Sequence, residues 1–435
     1  MLRATLVLYF LFNFGYVFTR GQYNPRLFWI LAFSLVFLSI LFFAKKAKVF
    51  FANLDINSLV LFIFIFNALL YVLLYGGIYF QPGFPKTALE YFLPLVIVLS
   101  FIFTIDTPNF RKRVFPLSFA LLVCIALVSR FLLILASSAP RIDTFDLFKL
   151  GPKYLIEGKN PYSQSYPQLY RGVTADYYSY SPLTLYLFLP ADILFNDPRY
   201  TYLVSDLVVV FLLYKILSKA KNLSSRAKYL LPLLFLYHPS ESIILEQSWM
   251  DPLIFMMLVL FVYFERCSKE LKKFSFIPLA FFLGMRHTML IISPVFFLFK
   301  KIARKTVFLS LGAIFLAFLP FALWNFGDFW DDLVKFYVTY PVRHDSITLN
   351  SFIFFTFGKD LPKTLMNILG LLPLALVLIK RPDNWHKLLL AIALLLFALS
   401  FFNKLAFVNH YFFISLLILF ASIIGLVDEK SSFAE

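Results

Sequence analysis

Residues 138–180, SAPRIDTFDLFKLGPKYLIEGKNPYSQSYPQLYRGVTADYYSY, form a long polar, Tyr-rich stretch in a sequence that otherwise consists mostly of apolar runs. The stretch directly follows the apolar run 114–137, so Asp143 and Asp146 are expected at the boundary between membrane and water. Ionisable residues are costly in a bilayer, and where they gather they usually mark a site. We therefore interpret the other helices as a scaffold that holds this loop over a pocket.

The composition is that of a polytopic helical membrane protein. Of the 435 residues, 61% are hydrophobic, whereas about 45–50% is usual in soluble domains. Repeated apolar runs predict spanning helices, and they lack the period-two alternation of barrel strands. The formal net charge of +16 lies mainly in short loops, which indicates membrane topology and not nucleic-acid binding. Cys124 and Cys267 are far apart in the chain and favour neither a disulfide framework nor a metal cluster.

The predicted fold is an all-α transmembrane bundle of about fourteen spans. The predicted spans are 4–19, 27–44, 57–80, 91–105, 114–137, 200–218, 229–246, 252–265, 275–286, 288–299, 306–324, 362–380, 386–402 and 406–426. Residues 181–195 are short for a span and contain Pro182 and Pro190, so we predict a helix on the outer surface. Residues 1–110 are predicted to form an N-terminal four-span block, and 111–435 a catalytic core with an outer-face loop at 138–199.

Six basic clusters predict the orientation, because cytoplasmic loops are rich in Lys and Arg. With fourteen passes and both termini inside, all six clusters lie on the cytoplasmic face. They are Lys45, Lys46 and Lys48; Arg111, Lys112 and Arg113; Lys219, Lys221, Arg226 and Lys228; Arg266, Lys269, Lys272 and Lys273; Lys300, Lys301, Arg304 and Lys305; and Lys380, Arg381 and Lys387. The polar loops then collect on the outer face.

Asp143 and Asp146 are the candidate catalytic residues. They are three positions apart, so on a helix they share a face. A carboxylate at a dry boundary could take a proton from an acceptor hydroxyl. The alternative is that Asp143 or Thr144 caps a surface helix over 145–157. Other metal signatures are lacking, although Mg²⁺ or Mn²⁺ could use the two aspartates as ligands.

Arg286 interrupts an apolar run that would otherwise form one span, and His287 follows it. A cation at this depth needs an anion, and a lipid phosphate bound by both guanidinium nitrogens would suit it. The alternative is an ion pair with a nearby acid. Arg343 and His344, in an outer loop, are further candidates for phosphate binding, and a solvated loop is the competing interpretation.

The remaining candidates are polar or aromatic residues that the predicted topology places at the outer face, where they could line a substrate pocket. Each also has a plain structural interpretation, as a helix stop, an interfacial aromatic, a solvated span junction or a hydrogen-bonded boundary residue. These candidates are Asn160, Tyr162, Tyr180, Glu246, Gln247, Asp251, His287 and His410.

The order of these motifs resembles the GT-C superfamily of integral-membrane glycosyltransferases, and most closely glycosyltransferase family 87. The matching segments, in chain order, are Asp143 or Asp146, Glu157-Gly158-Lys159-Asn160-Pro161-Tyr162, Tyr180-Ser181-Pro182-Leu183, Gln247 with Asp251-Pro252-Leu253, Gly284-Met285-Arg286, Asn350-Ser351 and Asn409-His410-Tyr411-Phe412. The resemblance covers about 114–426. The chain differs in having four spans before the acidic loop and in its Asp-x-x-Asp spacing.

The resemblance implies a polyprenyl-phosphate-linked sugar donor, mannose or similar, and a lipid or glycan acceptor. It implies an inverting reaction with a loop aspartate as general base, Asp143 ahead of Asp146, and a multi-pass protein of a prokaryotic plasma membrane whose site faces outside. Two other functions fit the predicted spans. One is a lipid or sugar transporter or flippase without chemistry, and the other is a lipid-linked glycan polymerase or ligase.

Overall fold

The chain folds almost entirely into helices. The computed structural model describes residues 2–19, 21–43, 51, 53–170, 173–220 and 223–428. Helices make up 76% of the structure, which confirms the predicted all-α class. The predicted basic residues Lys45, Lys46, Lys48 and Lys221 lie outside the described residues.

Twenty-two α-helices are described, several of them short pieces of longer bent helices. They are α1 Leu2–Gly15, α2 Pro25–Phe43, α3 Ile56–Leu74, α4 Phe84–Phe92, α5 Pro94–Ile102, α6 Phe115–Ala136, α7 Asp143–Ile156, α8 Pro182–Phe195, α9 Tyr200–Ser218, α10 Ser225–Leu236, α11 Glu241–Glu246, α12 Asp251–Cys267, α13 Phe276–Gly284, α14 His287–Ile291, α15 Ser293–Leu298, α16 Arg304–Trp324, α17 Phe326–Trp330, α18 Phe336–Thr339, α19 Leu349–Phe357, α20 Lys363–Lys380, α21 Trp385–Phe401 and α22 Val408–Asp428. The described residues also contain one antiparallel strand pair, β1 Tyr166–Tyr170 and β2 Val173–Ala175, in which Tyr166 pairs with Ala175.

Eight helical segments in the described residues are long and apolar enough to cross a membrane, and these indicate a membrane protein. They are α2, α3, Phe84–Ile102, Phe110–Ala136, α9, α16, α20 and α22. A ninth span results if Leu271–Gly284 and His287–Leu298 count as one, although the chain bends by 117° between them. The predicted span 229–246 is broken between α10 and α11, where Pro239 follows the end of α10. The total of fourteen spans remains a prediction.

Helix α22 is central, because nearly all of its side chains are buried. It packs against α21, α1 and α12, and α2 packs against α21. One continuous hydrophobic core runs from α1 to α22. The predicted boundary at residue 110 stays a prediction, but helices from both sides of it share this core.

The polar loop after α6 folds as the helix–stop pattern predicts. Helix α7 begins at Asp143, two residues before the predicted start, and ends at Ile156. Gly158 adopts a left-handed φ of 71°, and the N–H of Lys159 donates to the Tyr154 carbonyl, which closes the helix end. Helix α8 matches the predicted helix 181–195 and packs against α7.

A buried ion-pair cluster joins three helices in the core. Arg130 of α6 lies with its Nε 2.5 Å from Asp206 of α9 and 3.1 Å from Glu241 of α11. Its Nη2 donates to the Leu236 carbonyl at 2.7 Å. All three charged side chains are almost completely buried. A buried charge without a partner is strongly destabilising, so each member depends on the others.

Replacing the guanidinium with an apolar side chain of similar length should destabilise the fold. Arg130→Met leaves Asp206 and Glu241 without their cation, and we expect the free energy of unfolding to fall by about 3–5 kcal/mol. Denaturant titration in detergent micelles measures this change. Arg111→Met removes an ion pair whose arginine is half-exposed and should leave the unfolding midpoint nearly unchanged. Equal effects of the two substitutions would contradict the importance of the buried cluster.

Candidate functional site

A polar cavity of about 760 Å³ collects residues from widely separated parts of the chain. The links after α1 and α3, the start of α7, the α11–α12 turn and the break before α14 all contribute to its lining. Residues 175–180, 336–345 and 403–410 contribute most of the remainder. Seven of the predicted site residues line this cavity: Asp143, Tyr180, Gln247, Arg286, His287, Arg343 and His410.

Asp143 stands at the first turn of α7 with its carboxylate held in place. The backbone N–H of Thr144 donates to Oδ1 at 2.8 Å, and the Tyr177 hydroxyl donates to Oδ2 at 3.1 Å. The Thr144 hydroxyl donates to the Gln247 carbonyl at 2.5 Å, which anchors the helix start to the α11–α12 turn. Burial raises the pKa of the Asp143 carboxyl, and the two hydrogen bonds oppose that rise. Burial also raises the pKa of Tyr177, so its hydroxyl remains a donor.

Asp146 does not line the cavity, although it lies three residues after Asp143. It is half-buried, and burial raises its pKa to about 6, with Lys149 opposing the rise. The expected shared face therefore does not place both carboxylates in the cavity. Asp143 sits at the very start of the helix, where its side chain is held by the Thr144 N–H and Tyr177. The geometry favours Asp143 over Asp146 for contact with a bound molecule.

Arg286 lies at the break between α13 and α14, as the sequence predicts. Its two Nη atoms donate to the two carboxylate oxygens of Asp251 at 2.9 and 3.1 Å. The Asn409 amide also donates to Asp251 Oδ2 at 3.1 Å. The structure therefore has the ion pair with a nearby acid that the sequence left open. Because this pair is bidentate, it fixes the plane of the guanidinium beside the cavity.

Gln247 and Asp251 do not share a helical face, because the backbone turns between them. Helix α11 ends at Glu246, Ser248 adopts a left-handed φ of 55°, and α12 starts at Asp251. Gln247 lines the cavity, whereas Asp251 is completely buried behind Arg286. Asp251 therefore influences the cavity by orienting the Arg286 guanidinium.

Glu246 is completely buried and does not line the cavity. Its two carboxylate oxygens accept the backbone N–H groups of Ile78, at 2.6 Å, and Tyr79, at 2.9 Å. An added Cβ on Gly77 would lie 1.8 Å from Glu246 Oε1, so a side chain at that position would displace the carboxylate from its two N–H donors. The acid thus holds the α3–α4 link against α11.

Arg343 and His344 have separate surroundings. Arg343 lines the cavity and forms a bidentate pair with Asp345, at 2.8 and 2.7 Å. The hydrogen bond to Asp345 raises the pKa of Arg343, and burial opposes this rise only in part. His344 stacks on Phe354, and its Nε2 lies 2.7 Å from Asp360 Oδ1. His344 is not part of the cavity lining.

Asn160 and Tyr162 support the loop behind the cavity. Asn160 accepts the backbone N–H of Tyr162 at 3.1 Å, and the Tyr162 hydroxyl donates to the Tyr180 carbonyl at 2.8 Å. Tyr180 itself lines the cavity and packs on Phe148. The Asn-Pro-Tyr motif therefore positions Tyr180 and does not reach the cavity.

His287 directly follows Arg286 and His410 stands at the start of the last helix, and both line the cavity. The His287 ring lies 4.0 Å from the Tyr337 ring, measured between centroids. His410 Nδ1 lies 3.1 Å from Asn409 Oδ1, and Asn409 also binds Asp251. The first residues of α22 therefore line the cavity next to Arg286.

A second, mostly apolar pocket of about 310 Å³ adjoins the polar cavity. Both are lined by Ser179, Tyr180, Met250, Arg286, His287 and Tyr337. The rest of the side pocket is largely aromatic and aliphatic, and Phe326 and Trp330, which are exposed, lie at its wall. Arg286 therefore stands where a polar space meets an apolar one.

Cations outnumber carboxylates among the described residues that line the cavity. The cations are Arg141, Arg286, Arg343 and Lys404, and the carboxylates are Asp143 and Asp345. This balance favours an anionic group. Within the described part of the chain, no group of three or more His, Cys, Asp or Glu side chains could hold a metal ion.

Sequence reasoning did not select several lining residues, among them Tyr79, Tyr177, Tyr337, Lys404 and Asn409. For three of them the sequence pattern did indicate a position near the site. Tyr177 lies in the same polar stretch as Asp143, and Lys404 and Asn409 flank the start of the last predicted span. Tyr79 and Tyr337 reach the cavity only through tertiary packing, which the sequence pattern does not display.

A comparison with known proteins identified no relative of this chain: no protein-family model, curated protein or solved structure matches it.

The Asp251–Arg286 pair provides a stability test of the cavity wall. Asp251→Leu leaves the guanidinium beside the cavity without its anion and should lower the free energy of unfolding by about 3 kcal/mol. The double variant Asp251→Leu/Arg286→Met removes both charges and should recover most of that loss. Denaturant unfolding of the four proteins in the cycle gives the coupling free energy. Strictly additive effects would show that the two side chains do not interact.

Proposed function

We propose that this protein is an inverting membrane glycosyltransferase that moves a sugar, mannose or similar, from a polyprenyl-phosphate donor to a lipid or glycan acceptor. One observation carries the proposal: a hydrogen-bonded aspartate, Asp143, lines the same cavity as Arg286 and Arg343, and this cavity adjoins an apolar pocket. A base, an anion site and a space for a hydrocarbon chain are what this reaction needs. The resemblance of the motif order to the GT-C superfamily and to family 87 points the same way.

The apolar pocket suits the donor's hydrocarbon chain, and Arg286 suits its phosphate. Arg286 lines both spaces, so a chain in the side pocket would place its phosphate beside the guanidinium. The Asp251 pair already orients that guanidinium. Positive charge fixed before the reaction stabilises a leaving phosphate without further reorganisation. Arg343 adds a second cation on the cavity lining.

Asp143 is the proposed general base. Its carboxylate takes the proton of an acceptor hydroxyl, and the acceptor oxygen attacks the anomeric carbon. The bond from that carbon to the phosphate oxygen breaks, and the polyprenyl phosphate leaves with the electron pair. The attack comes from the side opposite the leaving group, so the anomeric configuration inverts. We place the site on the outer face of a prokaryotic plasma membrane, within a fold of about fourteen spans with both termini inside.

Asp143→Asn removes the base and keeps the shape of the side chain. General-base catalysis contributes roughly 10²–10⁴-fold, so we expect transfer to fall by that factor while the protein still folds. Transfer is followed with a radiolabelled polyprenyl-phosphate mannose in membranes from expressing cells. Asp146→Asn is the matched control, because Asp146 lies on the same helix outside the cavity lining, and it should transfer at nearly the rate of the parent protein. Full activity of Asp143→Asn, or lipid flipping without transfer, would refute the proposal.

The acidic limb of the pH–rate profile should report the Asp143 carboxyl. The base works only when ionised, and burial raises its pKa. As the pH is lowered, the loss of transfer should therefore begin at a higher pH than it would for an exposed aspartate, whose pKa is about 3.9. The Tyr177 hydroxyl stabilises the ionised form. Tyr177→Phe should therefore move this limb to still higher pH, whereas Asp146→Asn should not. A Tyr177→Phe limb at lower pH would exclude Asp143 as the titrating base.

A further inference from the structure

We infer that the segment 326–340 positions the Asp143 carboxylate, and that Asp332 is the positioning residue through which this segment acts. The inference rests on the proposed function for the role of Asp143 as a base. The segment, which we name the strap, consists of α17, a π-helical turn at Asp331–Lys335 and α18 with the residue after it. It lines the apolar pocket and also contacts the loop that carries Tyr177.

The strap holds three successive residues of this loop, Tyr177, Tyr178 and Ser179. The Phe336 ring packs on the Tyr177 ring, with 4.3 Å between the centroids. Asp332 Oδ2 accepts the backbone N–H of Tyr178 at 2.7 Å. The Tyr337 hydroxyl donates to the Ser179 carbonyl at 2.8 Å. Because all three contacts come from one segment, the course of the loop along the cavity depends on the strap.

Of the two hydrogen bonds, the one to Asp332 is buried. The Asp332 side chain and Tyr178 are both almost inaccessible to solvent. Tyr178 belongs to a small hydrophobic cluster with Tyr162 and with Phe329 of the strap. A backbone N–H in such surroundings is costly without an acceptor, since water does not replace the lost partner. The loop therefore keeps its path at Tyr178 only while residue 332 supplies an acceptor.

This contact needs an acceptor oxygen but not a charge. Burial raises the pKa of the Asp332 carboxyl to about 7, the Tyr178 N–H opposes the rise, and the carboxylates of Asp328 and Asp331 add to it. The ionised and the protonated carboxyl both keep an oxygen that accepts the N–H, and the amide of asparagine has one as well. Leucine has a similar size and no acceptor. Asparagine and leucine at position 332 therefore separate the hydrogen bond from the shape of the side chain.

Tyr177 connects the Asp332 contact to the proposed base. Its hydroxyl donates to Asp143 Oδ2 at 3.1 Å. The N–H that Asp332 accepts belongs to the planar peptide unit between Tyr177 and Tyr178, which is bonded to the Cα of Tyr177. Asp332 thus fixes the backbone from which the Tyr177 side chain extends. Without this acceptor the peptide unit turns, and the hydroxyl moves away from the Asp143 carboxylate.

The strap has anchors of its own apart from Asp332. Lys404 Nζ donates to the carbonyls of Tyr337, Val338 and Tyr340 at 2.5, 3.3 and 2.7 Å, which places a cation at the C-terminal end of α18. The strap residues that line the apolar pocket are Phe326, Phe329, Trp330, Leu333, Val334 and Tyr337. Removing the Asp332 carboxyl should therefore release the loop and leave the strap, with its part of the apolar pocket, in place.

Direct titration of the Asp143 carboxyl in the full protein, in nanodiscs, tests the inference without requiring transfer. The protein carries ¹³C at the aspartate side-chain carboxyl carbons, and Asp143→Asn identifies the Asp143 NMR signal by its loss. The Tyr177 hydroxyl stabilises the ionised form, so Tyr177→Phe should raise the pKa of Asp143. Asp332→Leu should raise it as well, because the displaced loop withdraws the same hydroxyl. The double variant Tyr177→Phe/Asp332→Leu should titrate like Tyr177→Phe alone, since both substitutions act through one hydrogen bond.

Two variants serve as matched controls. Asp332→Asn keeps the acceptor oxygen and should leave the Asp143 titration unchanged. Asp331→Leu removes the adjacent acid, which is half-exposed, pairs with Lys335 and lies outside both pocket linings, and should also leave it unchanged.

Sugar transfer and donor binding separate positioning from a general structural role. Asp332→Leu should lower the transfer rate by roughly 10- to 100-fold, as expected for a misplaced catalytic group. It should still bind a short polyprenyl monophosphate like the parent protein, because the strap stays anchored. Asp332→Asn should restore most of the rate. A loss of binding and rate together would indicate a structural role and contradict the inference.

The inference is overturned if Asp332→Leu leaves the pKa of Asp143 unchanged, if the two substitutions shift that pKa additively, or if Asp332→Asn behaves like Asp332→Leu. Should Asp332→Leu fail to fold, Tyr337→Phe decides the matter, because it removes only the strap hydroxyl bound to Ser179. It should raise the pKa of Asp143, and an unchanged titration would refute positioning by the strap. The expected titrations in a protein that transfers no sugar would overturn the proposed function alone.

Discussion

The turn between α11 and α12 holds the cavity together, because three of its residues each fasten a different wall. Glu246 accepts two N–H groups of the α3–α4 link. The carbonyl of Gln247 accepts the Thr144 hydroxyl and so fixes the start of α7 beside Asp143. Asp251 holds the Arg286 guanidinium. Within six residues the chain thus determines the positions of the proposed base, the proposed phosphate site and the α3–α4 link.

The turn can do this because it is buried. Glu246 and Asp251 are completely buried, and Gln247 nearly so. A buried carboxylate without donors is costly, so each acid is stable only when its partner segment occupies its place. The positions of the walls therefore depend on one another through the desolvation of these acids. An exposed turn with the same residues would exert little control, since solvent would satisfy the carboxylates equally well.

The sequence predicted the parts of this arrangement that depend on local pattern. The stop of α7 at Gly158 and the break at Arg286 follow from backbone freedom and the cost of a charge in an apolar run. The expected cap by Asp143 or Thr144 is not formed, because α7 begins at Asp143 with Ile142 at its N-cap and no side-chain hydrogen bond there. The partners of the charged residues could not be read in this way. Glu246 meets Ile78 across 168 positions, and that contact depends on packing that no local pattern encodes. The same holds for Asp251, whose place behind Arg286 depends on the backbone turn at Ser248.

Helix α11 also explains how the core and the cavity are coupled. It is only six residues long, and it carries a buried carboxylate at each end, Glu241 and Glu246. Glu241 joins Arg130 and Asp206 in the core, and Glu246 holds the link that lines the cavity. A helix this short has little stability of its own, so these contacts determine where it sits. Removing a charge from the Arg130 cluster would therefore release one end of α11. The other end of α11 positions the α3–α4 link and, through the adjoining turn, Asp143 and Arg286.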